Sequence, residues 1–196
     1  MQKYWAEYLG TYLLATAILG AITSEVVPVP IVAAFTLALV VYLFGGVSGA
    51  HVNPAITIMM LLGRKISLVD AGLYIIFQLS AGVTAALTAS YLFGAWAGAP
   101  IEPATHILVA EALGTMILAL GVQAAVRGIV PHSLSGISVG GGLFIGINIA
   151  LLGSGAILNP AVAVATKAVT MPYLLGPIFG AIFAGAIASY LFKKTD

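Results

Sequence analysis

Ser48-Gly49-Ala50-His51-Val52-Asn53-Pro54-Ala55 is answered 106 residues later by Ser154-Gly155-Ala156-Ile157-Leu158-Asn159-Pro160-Ala161. Asparagine is a favoured helix N-cap, and proline suits the first helical position, whose N–H has no partner inside the helix. Each copy therefore predicts a helix beginning at Asn-Pro. The apolar pieces that follow, about 53–62 and 159–168, are too short to cross roughly 30 Å of hydrocarbon at about 1.5 Å per residue. They read as re-entrant half-helices, which are tolerated only where protein or a watery cavity surrounds them. Asn-Pro is also a plain turn signal, but that reading leaves two copies in matching apolar contexts unexplained.

A second landmark repeats at nearly the same spacing. Ala6-Glu7-Tyr8-Leu9-Gly10-Thr11 returns as Ala110-Glu111-Ala112-Leu113-Gly114-Thr115, 104 residues on. Two motifs in the same order at almost one offset make the chain a duplicated half. Composition sets the medium. Of 196 residues 61% are hydrophobic and 7% charged, against roughly 25% charged in soluble domains, and mean hydropathy is +1.14. This excludes a soluble enzyme, a nucleic-acid binder and a disordered chain. No cysteine is present, so disulfides and thiolate chemistry are excluded.

Full-length apolar stretches fall at about 4–23, 31–45, 67–93, 105–126, 137–152 and 172–193. The expected fold is an all-α membrane protein: six transmembrane helices plus two half-helices in one domain over 1–196, with halves at about 1–98 and 105–196. Three crossings per half is odd, so the second half enters from the opposite face and the repeat is inverted. With the N-terminus inside, Lys3, Arg64, Lys65, Arg127, Lys193 and Lys194 all face the cytoplasm and Lys167 alone faces out, as the positive-inside rule requires. Both termini are then cytoplasmic, Glu25 and Glu102 lie in outer loops, and no appended domain is expected after Asp196. Trp5, Trp96, Tyr4 and Tyr91 fall near span ends and suit an interfacial aromatic belt, with Tyr42 and Tyr74 expected to pack. Gly10, Gly82, Gly114 and Gly185 allow close helix approach.

The inverted arrangement lets both half-helix N-termini converge near the midplane. Each carries roughly half a positive charge, so the pair repels cations, while the amides of Asn53 and Asn159 offer donors to a passing oxygen. The small Ser48-Gly49-Ala50 and Ser154-Gly155-Ala156 segments leave backbone carbonyls open to a lumen. Glu7 and Glu111 lie inside spans, where a carboxylate serves either as a proton relay or as an anchor. His51 is a loop-packing residue or a pH sensor. His106 and His132 are too scattered to form a metal site, and no phosphate loop, nucleophile triad or cofactor motif is present.

SGAHVNPA and SGAILNPA, with AExLGT opening each half, resemble the aquaporin (major intrinsic protein) family over the whole chain. The resemblance implies one pore per protomer, a homotetramer in a lipid bilayer, and passive flux of water and other small uncharged solutes without catalysis or cofactor. Asn53, Pro54, Ala55, Asn159, Pro160 and Ala161 would form the pore centre. Glu7 and Glu111 would brace the loops, accepting from backbone N–H groups or from His51.

Most family members carry an arginine after the second Asn-Pro-Ala; here that position is Val162. The resemblance implies a selectivity filter of Val162, Ala156, Ile147 and Ala33. A small shift would substitute Phe35, and Asn148 or Ile149. The Ala156–Val162 pair is similar to the plant tonoplast branch, associated with water, urea, ammonia and hydrogen peroxide. Ala163 replaces the aspartate usual in glycerol facilitators, so glycerol specificity is unsupported, though a wide opening admits it. Two other readings stay open: a secondary carrier on the same repeat, and a non-conducting structural membrane protein. The expected site is the cell membrane.

Overall fold

The computed structural model describes residues 1–94 and 104–192. Trp96, Glu102, Lys193, Lys194 and Asp196, to which the sequence assigned positions, lie outside the described residues. Eight α-helices follow in order: α1 (Gln2–Ser24), α2 (Val29–Ser48), α3 (Pro54–Leu62), α4 (Leu68–Phe93), α5 (Thr105–Val126), α6 (Ser135–Ala150, entered through a 3-10 turn at His132–Leu134), α7 (Pro160–Ala165) and α8 (Met171–Leu191). Six are long and apolar enough to span a membrane, and α3 and α7 are the two half-helices. The protein is an integral, multi-pass membrane protein.

Helix ends follow local chemistry. Ser67 accepts the Asp70 N–H at 3.1 Å and caps α4, α2 starts at a proline-rich turn, and Gly49, with φ of 89°, ends it. The second half-helix is shorter than the sequence predicts. It ends at Ala165 because Lys167 turns left-handed, with φ of 58°, and the Ala168 N–H closes back on the Ala163 carbonyl.

The packing repeats itself across the duplication. α1 packs against α2 and α4 as α5 packs against α6 and α8, and α2 meets α6 between the halves. Each half-helix seats on the final helix of the other half, α3 on α8 and α7 on α4. α1 and α4 run parallel, tied by Tyr4 to Asp70 at 2.7 Å, Tyr8 to Thr84 at 2.8 Å and Tyr12 to Thr88 at 3.1 Å. The ends of α5 and α8 meet likewise, Arg127 donating to Ser189 at 2.8 Å. Gly10 and Gly114 mark equivalent close approaches. A Cβ on Gly10 would stand 2.6 Å from Val52 Cγ1, and one on Gly114 would stand 2.6 Å from Leu158 Cδ2. Large apolar side chains such as Leu39, Leu43, Tyr91 and Phe183 face outward, as a lipid-facing surface requires. Trp5 is also exposed. Tyr74 is buried and donates to the Ser48 carbonyl at 2.8 Å, whereas Tyr42 is half exposed and donates to the Ser133 carbonyl at 3.0 Å.

Candidate functional site: a reciprocal asparagine pair in an aliphatic cavity

The two loops before the half-helices adopt one unusual backbone course. Ala50, Val52, Ala156 and Leu158 all have positive φ, between 41° and 56°. For non-glycine residues this costs roughly 1–2 kcal/mol each. Alternating left-handed residues turn successive peptides so that N–H groups collect on one side of the strand and carbonyls on the other. The buried glutamates take the N–H side. Glu7 accepts from the N–H of His51 at 2.9 Å, the N–H of Val52 at 2.6 Å, Ser48 Oγ at 2.6 Å and Gln78 Nε2 at 2.8 Å. Glu111 accepts from the N–H of Ile157 at 3.0 Å, the N–H of Leu158 at 2.6 Å and Ser154 Oγ at 2.6 Å. Carboxylate acceptors make the stronger class of hydrogen bond, which offsets the backbone strain.

Each asparagine caps its own helix and reaches across to the other loop. Oδ1 of Asn53 accepts the Ala55 N–H and Oδ1 of Asn159 accepts the Ala161 N–H, both at 2.9 Å. Nδ2 of Asn53 donates to the Leu158 carbonyl and Nδ2 of Asn159 to the Val52 carbonyl, again both at 2.9 Å. The caps assign the amide orientation: oxygen bound to its own helix, nitrogen outward. One hydrogen of each Nδ2 is used, so each amide keeps a second donor. Pro54, Ala55, Pro160 and Ala161 are buried behind them.

Both asparagines, 3% and 4% exposed, line a cavity of about 160 Å³. Its α6 wall is the stripe Val139, Leu143 and Ile147, with Leu151 just beyond the helix end, a span of about 18 Å at 1.5 Å per residue. α1 contributes Leu14, Ile18 and Ile22, and α5 contributes Leu118 and Val122. The polar groups lie on the loop wall: His51, the two asparagines, Thr166 and the backbone around Gly155–Ile157. The His51 ring points Nδ1 at Thr57 Oγ1, 3.2 Å away, so its link to Glu7 is through its backbone N–H and not its ring.

The structure brings Ile147, Ala156 and Val162 together on the cavity wall. It does not bring either α2 candidate there. Phe35 is 74% exposed, because it lies about 200° around the helix from the cavity-lining Leu37 at 100° per residue. Ala33 is on the buried stripe, but its short side chain is sealed in the core, and α2 lines the cavity with Val29, Pro30 and Leu37. Asn148 is exposed and donates back to the Phe144 carbonyl at 2.8 Å, away from the site. Glu7 and Glu111 are fully buried and do not line the cavity. Among the described residues, no group of three or more histidine, aspartate or glutamate side chains is placed to hold a metal.

The aliphatic stripes went unseen in the sequence. Their i, i+4 spacing is present, yet spans apolar on every side offer no polar contrast by which to pick a face.

This architecture has known counterparts. The chain is 33% identical to glycerol uptake facilitator protein-like 6 of Lactiplantibacillus plantarum, over 96% of this chain and 97% of that protein. It is 35% identical to aquaporin NIP1-4 of Oryza sativa subsp. japonica, over 100% of this chain and 78% of that one. The X-ray structure of the aquaglyceroporin from Plasmodium falciparum superposes with a TM-score of 0.71 at 18% identity, over 98% of this chain and 96% of the other, and so shares the fold. With the profile of the major intrinsic proteins matching residues 1–190, the chain belongs to the major intrinsic protein family of membrane channels.

Proposed function

We propose that the protein is a passive channel for water and other small uncharged solutes, including ammonia, urea and hydrogen peroxide, and that its outer constriction is Ile147, Ala156 and Val162. The reciprocal Asn53–Asn159 arrangement inside the cavity carries this reading. Two outward amide donors at converging helix starts bind the oxygen of a neutral guest and disfavour a cation. The six-residue α7 contributes less of this field than the nine-residue α3.

Val162 in place of a guanidinium removes a charge, several donors and bulk. The constriction then has few polar groups to replace a solute's water shell, and its width rather than hydrogen bonding sets what passes. The similarity of Ala156 and Val162 to the tonoplast branch supports ammonia, urea and hydrogen peroxide. The name of the glycerol uptake facilitator relative puts glycerol beside them. The inward-facing lysines and arginines support a cytoplasmic N-terminus and C-terminus in the cell membrane, and the family supports a homotetramer of 1–196 units. Glu7 and Glu111 act as loop anchors, because their oxygens are taken up by the loops and neither reaches the cavity, which among the described residues leaves no carboxylate on its lining for a proton-coupled carrier. The aliphatic wall favours one rival, a non-conducting membrane protein.

Stopped-flow light scattering on liposomes holding the purified protein decides the matter. We expect water, urea and ammonia permeabilities well above protein-free vesicles and linear in gradient. Flux no faster than through empty vesicles would establish the non-conducting reading.

A further inference from the structure

A second cavity lies apart from the one that holds the asparagines. It measures about 260 Å³ and opens between the last turns of α3, α5 and α8, at the face where α1 and α4 begin. Small residues on α8 make the room. Gly185, whose Cβ would stand 3.1 Å from Met59 Cγ, is followed by Ala186 and Ser189 on the same wall.

The lining is cationic and partly assembled. Arg127 is pinned over the cavity: its Nε donates to Gln123 Oε1 and its Nη2 to Ser189 Oγ, both at 2.8 Å. Of five guanidinium N–H groups three remain. Gln123 is buried, and its Nε2 spends one hydrogen on Met59 Sδ at 3.4 Å and keeps another. Lys65 lies on the same lining, at the end of α3. Among the described residues the carboxylates are engaged elsewhere. Asp70 holds Lys3 at 2.9 Å and Tyr4 at 2.7 Å, Glu7 and Glu111 hold their loops, and Glu25 lies beyond the opposite end of α1. The three helix C-termini that converge here carry poles of roughly half a negative charge each, against two full positive charges, and turn N–H groups take up part of their carbonyls. Lys65 N–H bonds Met60, Arg127 N–H bonds Gln123 and Phe192 N–H bonds Ala188. The two side-chain cations therefore dominate the local charge.

We propose that this cleft binds a phosphate-bearing anion, held by the free N–H groups of Arg127 and by Lys65, with Gln123 and Ser189 fixing the guanidinium. Basic pockets between membrane helices take phospholipid headgroups in this manner, and a guanidinium fork suits phosphate oxygens. At 260 Å³ the cavity is just below the roughly 300–1,000 Å³ of drug-sized sites, the scale of a small headgroup. The site lies off the pore cavity and stands without the channel reading.

Native mass spectrometry of the whole purified chain, with phosphatidylglycerol, phosphatidylcholine and inorganic phosphate as probes, tests the proposal. Phosphatidylglycerol is expected to be retained about tenfold better than phosphatidylcholine, and Arg127→Gln or Lys65→Gln to reduce that preference about tenfold (about 1.4 kcal/mol). Arg64→Gln removes the same charge outside the cleft and is expected to change little. Ala186→Phe keeps both charges, fills the cavity and is expected to lower retention, which carries the test if Arg127→Gln fails to fold. Displacement of the lipid by inorganic phosphate supports a free anion as the source, and its failure to displace supports the headgroup. Equal retention of both lipids together with no bound phosphate, or an equal loss in Arg64→Gln, overturns the proposal.

Discussion

Asn53 and Leu158, 105 residues apart, are joined across the two halves by a 2.9 Å hydrogen bond from the side-chain amide of one to the carbonyl of the other. Leu158 offers that carbonyl because its φ of 56° turns the peptide and because Glu111 holds its N–H from behind at 2.6 Å. A capping residue in one half, a strained leucine in the other and a buried carboxylate therefore form one mechanical unit.

Replacing the asparagine separates its two jobs. Asn53→Asp keeps a cap for the Ala55 N–H but sets a carboxylate oxygen against the Leu158 carbonyl and places negative charge in the cavity. The variant is expected to fold less stably and to leak monovalent cations, read as vesicle currents absent from the native protein. Asn53→Ala loses the cap and the cross-loop bond, at roughly 1 kcal/mol each, and is expected to lower thermal stability in detergent with little cation leak.

The two glutamates are expected to differ in weight. Glu7→Gln presents an NH2 group to donors that Oε1 or Oε2 now accepts, leaving two of four donors without an acceptor, at about 1–3 kcal/mol each. Glu111→Gln disrupts a set of three and can turn its NH2 toward the single donor on Oε2, the Leu158 N–H. Thermal unfolding of the pair of variants should therefore show the larger loss in Glu7→Gln.

Gly114→Ala is expected to be costlier than Gly10→Ala. The new methyl on residue 114 would meet the Gly146 carbonyl oxygen at 2.6 Å as well as Leu158, so two backbones must part. At residue 10 it would meet the side chains of Val52 at 2.6 Å and Val40 at 2.9 Å, which can give by small shifts. Overpacking of this kind costs typically about 1–3 kcal/mol, and paired unfolding measurements should place Gly114→Ala toward the top of that range.

The register of the outer constriction is testable on α2 and α7 together. Val162→Arg is expected to depress urea permeability more than water permeability. Leu37→Ala is expected to raise urea flux, and Phe35→Ala to leave both unchanged because that ring faces away from the cavity. An effect of Phe35→Ala equal to that of Leu37→Ala would show the constriction to be misplaced.

How much of this was readable beforehand depends on how far each feature lies from a motif. Asn53-Pro54 and Asn159-Pro160 announce helix starts chemically, and the helices begin at those prolines. Ala156 and Val162 flank that motif, and both line the cavity. Ala33 and Phe35 were reached by counting along a span where one residue of slip rotates the side chain about 100°. Thr36, between Phe35 and Leu37, is the one polar side chain in that stretch and does not mark a face, and the cavity is lined from α2 by Val29, Pro30 and Leu37. The left-handed Val52 and Leu158 were also invisible, since neither residue type favours that conformation and only the glutamates, more than 40 residues away, impose it.

The exchange of seats between halves, α3 on α8 and α7 on α4, bears on how the molecule is made. A ribosome delivers α8 last, so the first short helix and its asparagine wait through five further helices for the surface that will hold them. The nascent N-terminal half can tie its own loop to Glu7 and Tyr74, but the Leu158 carbonyl that Asn53 reaches and the α8 surface under α3 arrive only with the second half, so the asparagine pair takes shape as a closing event of insertion rather than an early one.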